Sequence, residues 1–481
     1  MSTEPPKKNV ILNQAFHLGL AVCAAFMIKY WVLQIFVIPT GSMEPTLHGR
    51  MDGGDRLLAT NFDYLWREPK RWEITVFLYP YDQDVKIRGE AKANKAHKGE
   101  NYIKRCVGLP GETILFSYGD LYARKTDETA WIWLRKPETI QRTMWQKVYS
   151  ETFRELSLNE FEFFSKLTGN WEIKNDALHG TAGSIWTYRP HTRNGKDIRG
   201  IPDRTIRAQT VKFKCPQPHC DGRLAKYIDS QKITGRCPSC GQYLLERNVV
   251  WYQRRNEQPR SLNETGGYDQ AEVGERGDSY FNVSDLRLAA EVKLSPAGSV
   301  RLQLDDDRRS ISCKIENNGN VSLLVDKQEV NMLKDAFSNE LPVFIELWRW
   351  DGQYLVYVRQ SGNEKRLFHE EDANINPRSS LGSPDTSASI LVDSGDVTIH
   401  SINLDRDIHY YPRQNIRSHD DNYPAIKGNG EIEVPENTFL MLGDNCGSSQ
   451  DSRVFGAVPR KNLRGPAHFI WWPLHRMRWL Y

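Results

Sequence analysis

The sequence lacks an excess of charge of either sign. Its 64 Lys and Arg residues are balanced by 61 Asp and Glu residues, so the net charge of +3 provides no overall field that would attract nucleic acid. It also lacks the repeated apolar segments of a polytopic membrane protein, since its mean hydropathy is -0.60. This composition leaves room for one membrane anchor, and 481 residues suggest about three domains.

One apolar stretch follows Lys7 and Lys8. Residues 15–38 would span roughly 36 Å as a helix, which is enough to cross a bilayer. The two lysines predict a single-pass transmembrane helix in the inner (cytoplasmic) membrane, with residues 1–14 in the cytoplasm and the rest on the outer, periplasmic face. A cleaved signal peptide is the alternative, because residues 20–23 faintly resemble a lipoprotein cleavage site.

Two short segments carry residues suited to catalysis. Ser42 lies in the segment 39–47, directly after the apolar stretch, and Lys104 lies in the segment 101–112. A serine hydroxyl needs a positioned base to take its proton, and a lysine can serve in place of a histidine. At an ordinary pKa of about 10.4 almost no lysine is neutral at pH 7, so Lys104 would have to be desolvated. We therefore expect a serine–lysine pair at a membrane surface.

Short apolar runs separated by turn residues predict that the chain is mainly β. Between residues 170 and 404 such runs recur about every 8 to 12 residues, a spacing typical of a β-sandwich or jelly roll. The dipeptides at 318–319 and 351–352 are tight-turn signals within it. The segment 348–358 resembles laminin-G or concanavalin-like domains. Such a sandwich could be a scaffold or could bind a glycan or another envelope polymer.

Four of the eight cysteines form two close pairs. Cys215 and Cys220 precede Cys237 and Cys240 within the segment 211–246, and four thiolates on two such turns can hold a structural zinc, as in a zinc ribbon. Two disulfides are the alternative, which an extracytoplasmic location would favour. No His-x-Glu precedes the second pair, so the sequence does not carry a deaminase-type catalytic zinc site. No cofactor is expected for catalysis.

A third motif lies at residues 440–453. Together with the segments 42–47, 54–55 and 104–111, in this order behind an apolar N-terminal stretch, it closely resembles the type I signal peptidases, or leader peptidases. The resemblance implies a membrane-bound serine endopeptidase that removes N-terminal signal peptides from exported preproteins. It also implies a mixed β-sheet core to which the substrate adds a strand.

The resemblance assigns roles to individual residues. Ser42 would be the nucleophile and Lys104 the general base. Thr40 would contribute its hydroxyl to the oxyanion hole, and Ser449 would orient the lysine. The resemblance also implies supporting roles, including an Asp–Arg ion pair, for Asp444, Asn445, Asp451 and Arg453.

Three positions depart from the family pattern. Thr40 replaces the usual serine, Cys446 stands where an arginine is common, and Trp72-Glu73 stands where the family has Gly-Asp before a strand. A disulfide between Cys106 and Cys446 is compatible with their places in the two motifs. None of these departures removes a reacting group.

The resemblance covers a catalytic core split into residues 39–118 and 405–481. Between them we expect a linker over 119–169, with a short amphipathic helix at 156–167, and then the inserted sandwich over 170–404 with its zinc-ribbon-like segment. Expected partners are signal-peptide-bearing preproteins and membrane lipid. The insertion could contact the translocation machinery or an envelope polymer, and no nucleic acid is expected. The alternative function is an envelope carbohydrate- or polymer-binding protein with an inactive peptidase-like core.

Overall fold

A computed structural model describes most of the core and of the sandwich. The described residues are 13–21, 33–49, 54–80, 99–153, 165–188, 211–214, 223–225, 235–236, 243–244, 250–253, 283–373, 377, 386–410, 412, 430–446 and 449–480. Within these ranges the chain is mainly β, which confirms the mainly β part of the predicted fold class.

An eight-stranded antiparallel sheet, the core sheet, carries strands from both ends of the chain. In spatial order its strands are Leu33–Val37, Arg56–Thr60, Leu463–Trp472, Ile74–Leu78, Asn101–Gly108, Thr438–Leu442 and Val458–Pro459, with Arg478–Trp479 beside Leu463–Trp472. Strands from before and after the inserted segment are therefore interleaved within one sheet. The core cannot form from either half alone, because each half supplies hydrogen-bonding partners for the other.

A four-stranded small sheet adjoins the core sheet. Its strands are, in order, Glu431–Val434, Glu112–Ser117, Asp120–Lys125 and Ile132–Trp133. The predicted end of the first core segment at residue 118 falls inside this sheet, between two of its paired strands. Tyr118 and Gly119 both have positive φ values, of 55° and 94°, so they form a two-residue turn that returns the chain as the next strand.

The insertion forms two larger antiparallel sheets. The first sandwich sheet contains Trp171–Lys174, Ala177–Thr181, Asp396–Arg406, Leu286–Leu294, Val343–Trp350, Gln353–Gln360 and Asn363–Glu370, with Gln146–Thr152 beside Asp396–Arg406. The second sandwich sheet contains Gln328–Leu333, Val321–Val325, Ser310–Glu316, Ser299–Asp305, Ser387–Ser394, Ile185–Tyr188 and Ser165–Thr168.

One apolar core lies between the two sandwich sheets. Leu288 and Val292 of the first sheet and Leu302 and Ile390 of the second are fully buried within it. In the strand Ser299–Asp305, for example, the alternate residues Val300, Leu302 and Leu304 are buried in this core, as the period of a half-buried strand requires. The predicted turn at Asp351-Gly352 joins two neighbouring strands, with positive φ at both residues, which is the type I′ geometry that matches the twist of a hairpin.

The sandwich begins earlier than the predicted boundary at residue 170. Gln146–Thr152 already pairs with Asp396–Arg406, and Ser165–Thr168 pairs with Ile185–Tyr188. The helix predicted over 156–167 is therefore wrong at its end, where residues 165–167 are in a strand, while 154–164 lie outside the described residues. A helical spacing of apolar residues is a weaker signal than pairing with a neighbouring strand. Pairing satisfies backbone hydrogen-bonding groups and buries side chains at the same time.

The N-terminal prediction is corrected in part. Residues 13–21 form a short helix, but Leu33–Val37, the end of the predicted transmembrane segment, is a strand of the core sheet. The β-branched and aromatic residues of that strand suit its pairing with Arg56–Thr60. Residues 22–32 lie outside the described residues. Among the helices that the structure describes, none has both the length and the apolar character needed to cross a bilayer.

The four clustered cysteines lie outside the described residues, so the zinc ribbon stays a prediction. Short antiparallel strands flank them: Val211–Lys214 with Arg223–Ala225 and Val250–Gln253, and Gly235–Arg236 with Tyr243–Leu244. The remaining short elements are the helices Asp63–Trp66, Glu138–Met144 and Ser452–Phe455 and the 3-10 turns Gly41–Met43, Arg460–Asn462 and Leu474–Arg476.

Candidate active site

Ser42 lies on a 3-10 turn that follows the edge strand of the core sheet. The turn, Gly41–Met43, is anchored by Met43 and Leu47, whose side chains are buried in an apolar cluster. Asp55 holds the end of the same loop in place through two hydrogen bonds. Its carboxylate accepts one from His48 N at 2.8 Å, and its carbonyl accepts one from Ile38 N at 2.9 Å. The nucleophile candidate is therefore held on both sides.

Lys104 lies on the strand Asn101–Gly108 and points at Ser42. Its side chain is buried, and Nζ donates to Ser42 Oγ at 2.8 Å and to the Ile103 carbonyl at 2.9 Å. The two residues are 62 positions apart in sequence. The structure thus brings together the serine and the lysine that the two motifs single out.

Burial lowers the pKa of Lys104 to about 8. Desolvation disfavours the ammonium form and is the largest cause; the carboxylates of Asp451 and Asp444 oppose it, and the Arg453 guanidinium adds to it. With a pKa near 8, about a tenth of Lys104 is neutral at pH 7, against well under a thousandth for an ordinary lysine. The site therefore provides an amine able to accept a proton near neutral pH.

Thr40 lies two residues before Ser42, on its exposed side. Its Oγ1 is 3.5 Å from Ser42 Oγ, at the outer limit of a hydrogen bond. This places a hydroxyl donor next to the atom that would attack a carbonyl.

Ser449 is buried close to the serine loop but is not bonded to the lysine. A Cβ added to Gly443 would lie 2.1 Å from Ser449 Oγ and 2.5 Å from the Ser42 carbonyl oxygen, so only glycine fits between them. Among the described residues, Lys104 Nζ makes no hydrogen bond with Ser449. The structure therefore does not show the predicted contact between Ser449 and Lys104, although it places the serine beside Ser42.

Asn445 ties the third motif to the nucleophile loop. Its backbone N donates to the Ser42 carbonyl at 3.1 Å, and its Nδ2 donates to the Gly41 carbonyl, also at 3.1 Å. These bonds span about 400 residues of sequence and include the whole insertion.

Asp451 and Arg453 form the predicted ion pair. Arg453 Nη2 lies 2.6 Å from Asp451 Oδ2, and both side chains are fully buried. Burial would raise the pKa of the Asp451 carboxyl, but the Arg453 guanidinium holds it below its usual value. Asp451 also accepts from Gly443 N at 3.0 Å, so the pair fixes the turn that faces Ser42.

Cys446 contacts this ion pair instead of forming a disulfide. Its Sγ lies 2.6 Å from Arg453 Nη1, and neither Cys446 nor Cys106 forms a disulfide. Cys106 is buried in an apolar cluster, and desolvation raises the pKa of its thiol well above the usual value.

The sequence interpretation missed Arg105. Its guanidinium bonds both oxygens of Asp444, at 2.8 and 2.6 Å, and both side chains are almost completely buried. Tyr410 Oη also donates to Asp444 Oδ1, at 3.4 Å. The available signal was a second charged residue between Lys104 and the apolar residues Cys106 and Val107, since a buried arginine requires a partner.

Three buried carboxylates lie where the small sheet meets the sandwich. Oxygens of Asp120, Asp285 and Asp351 are within 4.8 Å of one another. Desolvation, with the nearby Asp351 carboxylate, raises the pKa of Asp285 to about 7. Lys136 Nζ lies 2.5 Å from Asp351 Oδ1, so a cation already neutralises part of the cluster, and we assign no metal to it.

The fold and the site define a class: a β-sheet protein in which a serine hydroxyl faces a buried lysine amine of lowered pKa. The profile of the family described as signal peptidase, peptidase S26, matches residues 11–168 and 387–472 of this chain. The chain belongs to this family. The matched ranges flank the larger part of the sandwich, which is outside the family match.

Two relatives show the extent of the similarity. A protein of Synechocystis sp. named "Probable signal peptidase I-2" is 36% identical over 119 residues, which are 25% of this chain and 48% of that protein. Signal peptidase I of Pseudomonas fluorescens is 33% identical over 222 residues, which are 40% of this chain and 69% of that protein. The chain thus spans about half the length of the first relative and just over two thirds of the second.

Among solved structures, the exoplasmic/lumenal domain of VIP36 covers 61% of this chain and 99% of that chain. The sequence identity is 9% and the TM-score 0.28. A score this low supports no argument about the sandwich or about a ligand.

Proposed function

We propose that this protein is a membrane-bound serine endopeptidase that removes N-terminal signal peptides from exported preproteins, with Ser42 as nucleophile and Lys104 as general base. One observation carries the proposal: Lys104 Nζ lies 2.8 Å from Ser42 Oγ, in a site whose burial lowers the lysine pKa to about 8. A base with a pKa close to the working pH can both take and return a proton.

The reaction divides into two steps. Neutral Lys104 takes the hydroxyl proton as Ser42 Oγ attacks the scissile carbonyl carbon, and the lysine then gives that proton to the leaving amine, which yields an acyl-enzyme. A water molecule next loses a proton to Lys104 and attacks the ester, and the proton returns to Ser42. Thr40 Oγ1 is the candidate side-chain donor to the oxyanion of both tetrahedral intermediates.

Ser449, Asn445 and the Asp451–Arg453 pair have supporting roles in this proposal. Asn445 holds the carbonyls of Gly41 and Ser42, so that the nucleophile keeps its direction. Ser449 lies against Gly443 beside the serine loop, and a small movement on substrate binding would let its hydroxyl orient the lysine.

An exposed apolar surface supports membrane attachment. Several large apolar side chains on or beside the core-sheet strands around Ser42 are between 42% and 67% exposed: Ile35, Val37, Trp472, Leu474, Met477 and Trp479. Tryptophan side chains are favoured at the bilayer interface, and such a surface is unfavourable in water. We propose that it lies on the outer, periplasmic face of the inner membrane, next to an anchor formed by the apolar residues before Leu33.

Cleavage of a preprotein tests the proposed activity. Purified protein in detergent would be incubated with a preprotein that has an Ala-x-Ala site, and the new N-terminus would be sequenced. We expect cleavage by the wild type and none by Ser42→Ala or Lys104→Ala, with the thermal unfolding of Ser42→Ala unchanged. Full activity in either variant would contradict the proposed pair.

We also propose that Cys215, Cys220, Cys237 and Cys240 hold a structural zinc. Four thiolates provide the complete ligand set of a closed tetrahedral site, which leaves no open position for catalysis. Native mass spectrometry should show one bound zinc. A mass without zinc, together with the absence of free thiols at these positions, would indicate two disulfides instead.

A further inference from the structure

Trp72 has a backbone conformation that its side chain disfavours. Its φ is 71°, in the left-handed region where glycine is favoured, and its side chain is buried. The resembled family has Gly-Asp where this chain has Trp72-Glu73. A bulky residue persists in such a conformation only where its surroundings hold it.

The indole is held by the segment that leads into the sandwich. Trp72 Nε1 donates to the Arg135 carbonyl at 2.9 Å, and Lys136 Nζ lies 5.5 Å from the centre of the ring. The ring also belongs to the apolar cluster that contains Ile140 and Met144 of the helix Glu138–Met144. The side chain of Trp72 is thus part of the joint between the core and the insertion.

The sandwich in turn fixes the position of Lys136. Its Nζ lies 2.5 Å from Asp351 Oδ1 and 2.9 Å from Asp407 Oδ2, and its backbone N donates to Asp351 Oδ2 at 2.7 Å. Asp351 is in a hairpin turn of the first sandwich sheet, and Asp407 is where the chain leaves that sheet. These buried charges keep the segment under the indole in one place.

The backbone of Trp72 points the other way, toward the active site. Its carbonyl accepts a hydrogen bond from Arg105 Nη1 at 2.6 Å, and the other guanidinium nitrogens of Arg105 bond Asp444. Arg105 directly follows Lys104 in the strand. The charged groups that influence Lys104 are the carboxylates of Asp444 and Asp451 and the Arg453 guanidinium.

We propose that Trp72 is a positioning residue through which the inserted sandwich holds the Arg105–Asp444 pair in place beside Lys104. This inference rests on the proposed function and adds a role for the insertion in the same site. The indole, fixed by Arg135 and Lys136, keeps residue 72 at positive φ, and that conformation aims its carbonyl at Arg105.

Two substitutions at one position separate this role from packing. Both Trp72→Ala and Trp72→Gly remove the indole, so both lose the same packing contacts. Alanine disfavours positive φ, so its carbonyl should turn away from Arg105, whereas glycine keeps the conformation without strain. In Trp72→Ala the looser Arg105 leaves Asp444 less neutralised, and a freer carboxylate near Lys104 favours the ammonium form.

The measurement is the pH dependence of kcat/KM for preprotein cleavage, with urea unfolding of each variant as the control. We expect the acidic limb of Trp72→Ala to move to higher pH by about half a unit or more, and that of Trp72→Gly to stay with the wild type. The inference would be overturned if the acidic limb of the pH profile lay at the same pH in the wild type and in Trp72→Ala. It would also be overturned if this limb moved by the same amount in Trp72→Ala and in Trp72→Gly.

A second readout does not depend on turnover. The ε-carbon resonance of Lys104, in protein with 13C-labelled lysine and assigned by its loss in Lys104→Met, reports the lysine pKa directly. A wild type that does not cleave preproteins would refute the proposed function, while a raised Lys104 pKa only in Trp72→Ala would still support the positioning role. Normal cleavage with the same lysine titration in all three proteins would refute the positioning role alone.

Discussion

Replacing Lys104 by methionine should abolish cleavage and yet change stability in a pH-dependent way that favours the variant at neutral pH. Lys104 is buried, with a pKa of about 8 in the folded protein against a usual 10.5. Methionine has a similar length and no charge to desolvate. The comparison of the two proteins therefore isolates the free-energy cost of burying the Lys104 amine in this site.

The magnitude follows from the two pKa values. Because the folded-state pKa is lowered, the folded protein binds fewer protons than the unfolded chain between about pH 8 and pH 10.5, so the free energy of unfolding rises with pH in this window. Between pH 7 and pH 10 the wild type should gain about 2.5 kcal/mol relative to Lys104→Met. At pH 7 the two hydrogen bonds that Lys104 Nζ donates, at about 1 kcal/mol each, offset part of the stability advantage of Lys104→Met over the wild type.

The assay is urea unfolding of both proteins at pH 7 and at pH 10, followed by tryptophan fluorescence. The quantity of interest is the change in their difference with pH, since the lost hydrogen bonds and the altered packing contribute equally at both pH values. A difference that stays constant within about 0.5 kcal/mol would mean that Lys104 titrates normally in the folded protein, which would refute the desolvated-base argument.

Three further predictions concern the same molecule. The rate of cleavage by the wild type should rise about tenfold per pH unit below pH 8 and level off above it, because only neutral Lys104 accepts the serine proton; a limb near pH 10.5 would contradict this. Gly443→Ala should lose about 1 to 3 kcal/mol in chemical denaturation and most of its activity, since the new methyl group would collide with Ser449 Oγ and the Ser42 carbonyl. Because the pKa of Asp285 is raised to about 7 in the folded protein, the free energy of unfolding of the wild type should fall relative to that of Asp285→Asn as the pH rises from about 4 to 7; parallel curves for the two proteins in chemical denaturation would show that Asp285 does not titrate there.

Much of the core could be predicted from local patterns. The motif around Ser42, the strand that carries Lys104 and the turn at Asp451 were each recognisable within a few residues of sequence. The Asp451–Arg453 pair is local as well, because the two residues are separated by a single position. Asp451 Oδ1 also accepts a hydrogen bond from Arg453 N, at 3.2 Å, and this bond caps the helix Ser452–Phe455. Short-range chemistry of this kind leaves a clear trace in the sequence.

Boundaries were harder to predict than elements. The apolar pattern predicts residues 33–37 as the end of a transmembrane helix, but they form a strand, since apolar runs of that composition fit both structures. Its pairing partner Arg56–Thr60 decides the outcome, and the paired residues lie about 20 to 27 positions apart, from Val37 with Arg56 to Leu33 with Thr60. The same reason explains why Gln146–Thr152 was not recognised as part of the sandwich, because its partner follows some 250 residues later.

The sequence by itself determined the candidate nucleophile and base, Ser42 and Lys104, and the resemblance to the family, because these residues and the supporting turn each lie in contiguous motifs. Only the tertiary structure decided that Lys104 is desolvated at 2.8 Å from Ser42, that Ser449 does not bond the lysine, and that Trp72 links the sandwich to Arg105. Burial, distance and electrostatic coupling depend on which distant segments pack together. No local sequence pattern predicts these three properties, because they arise only when strands from both sides of the insertion form one sheet.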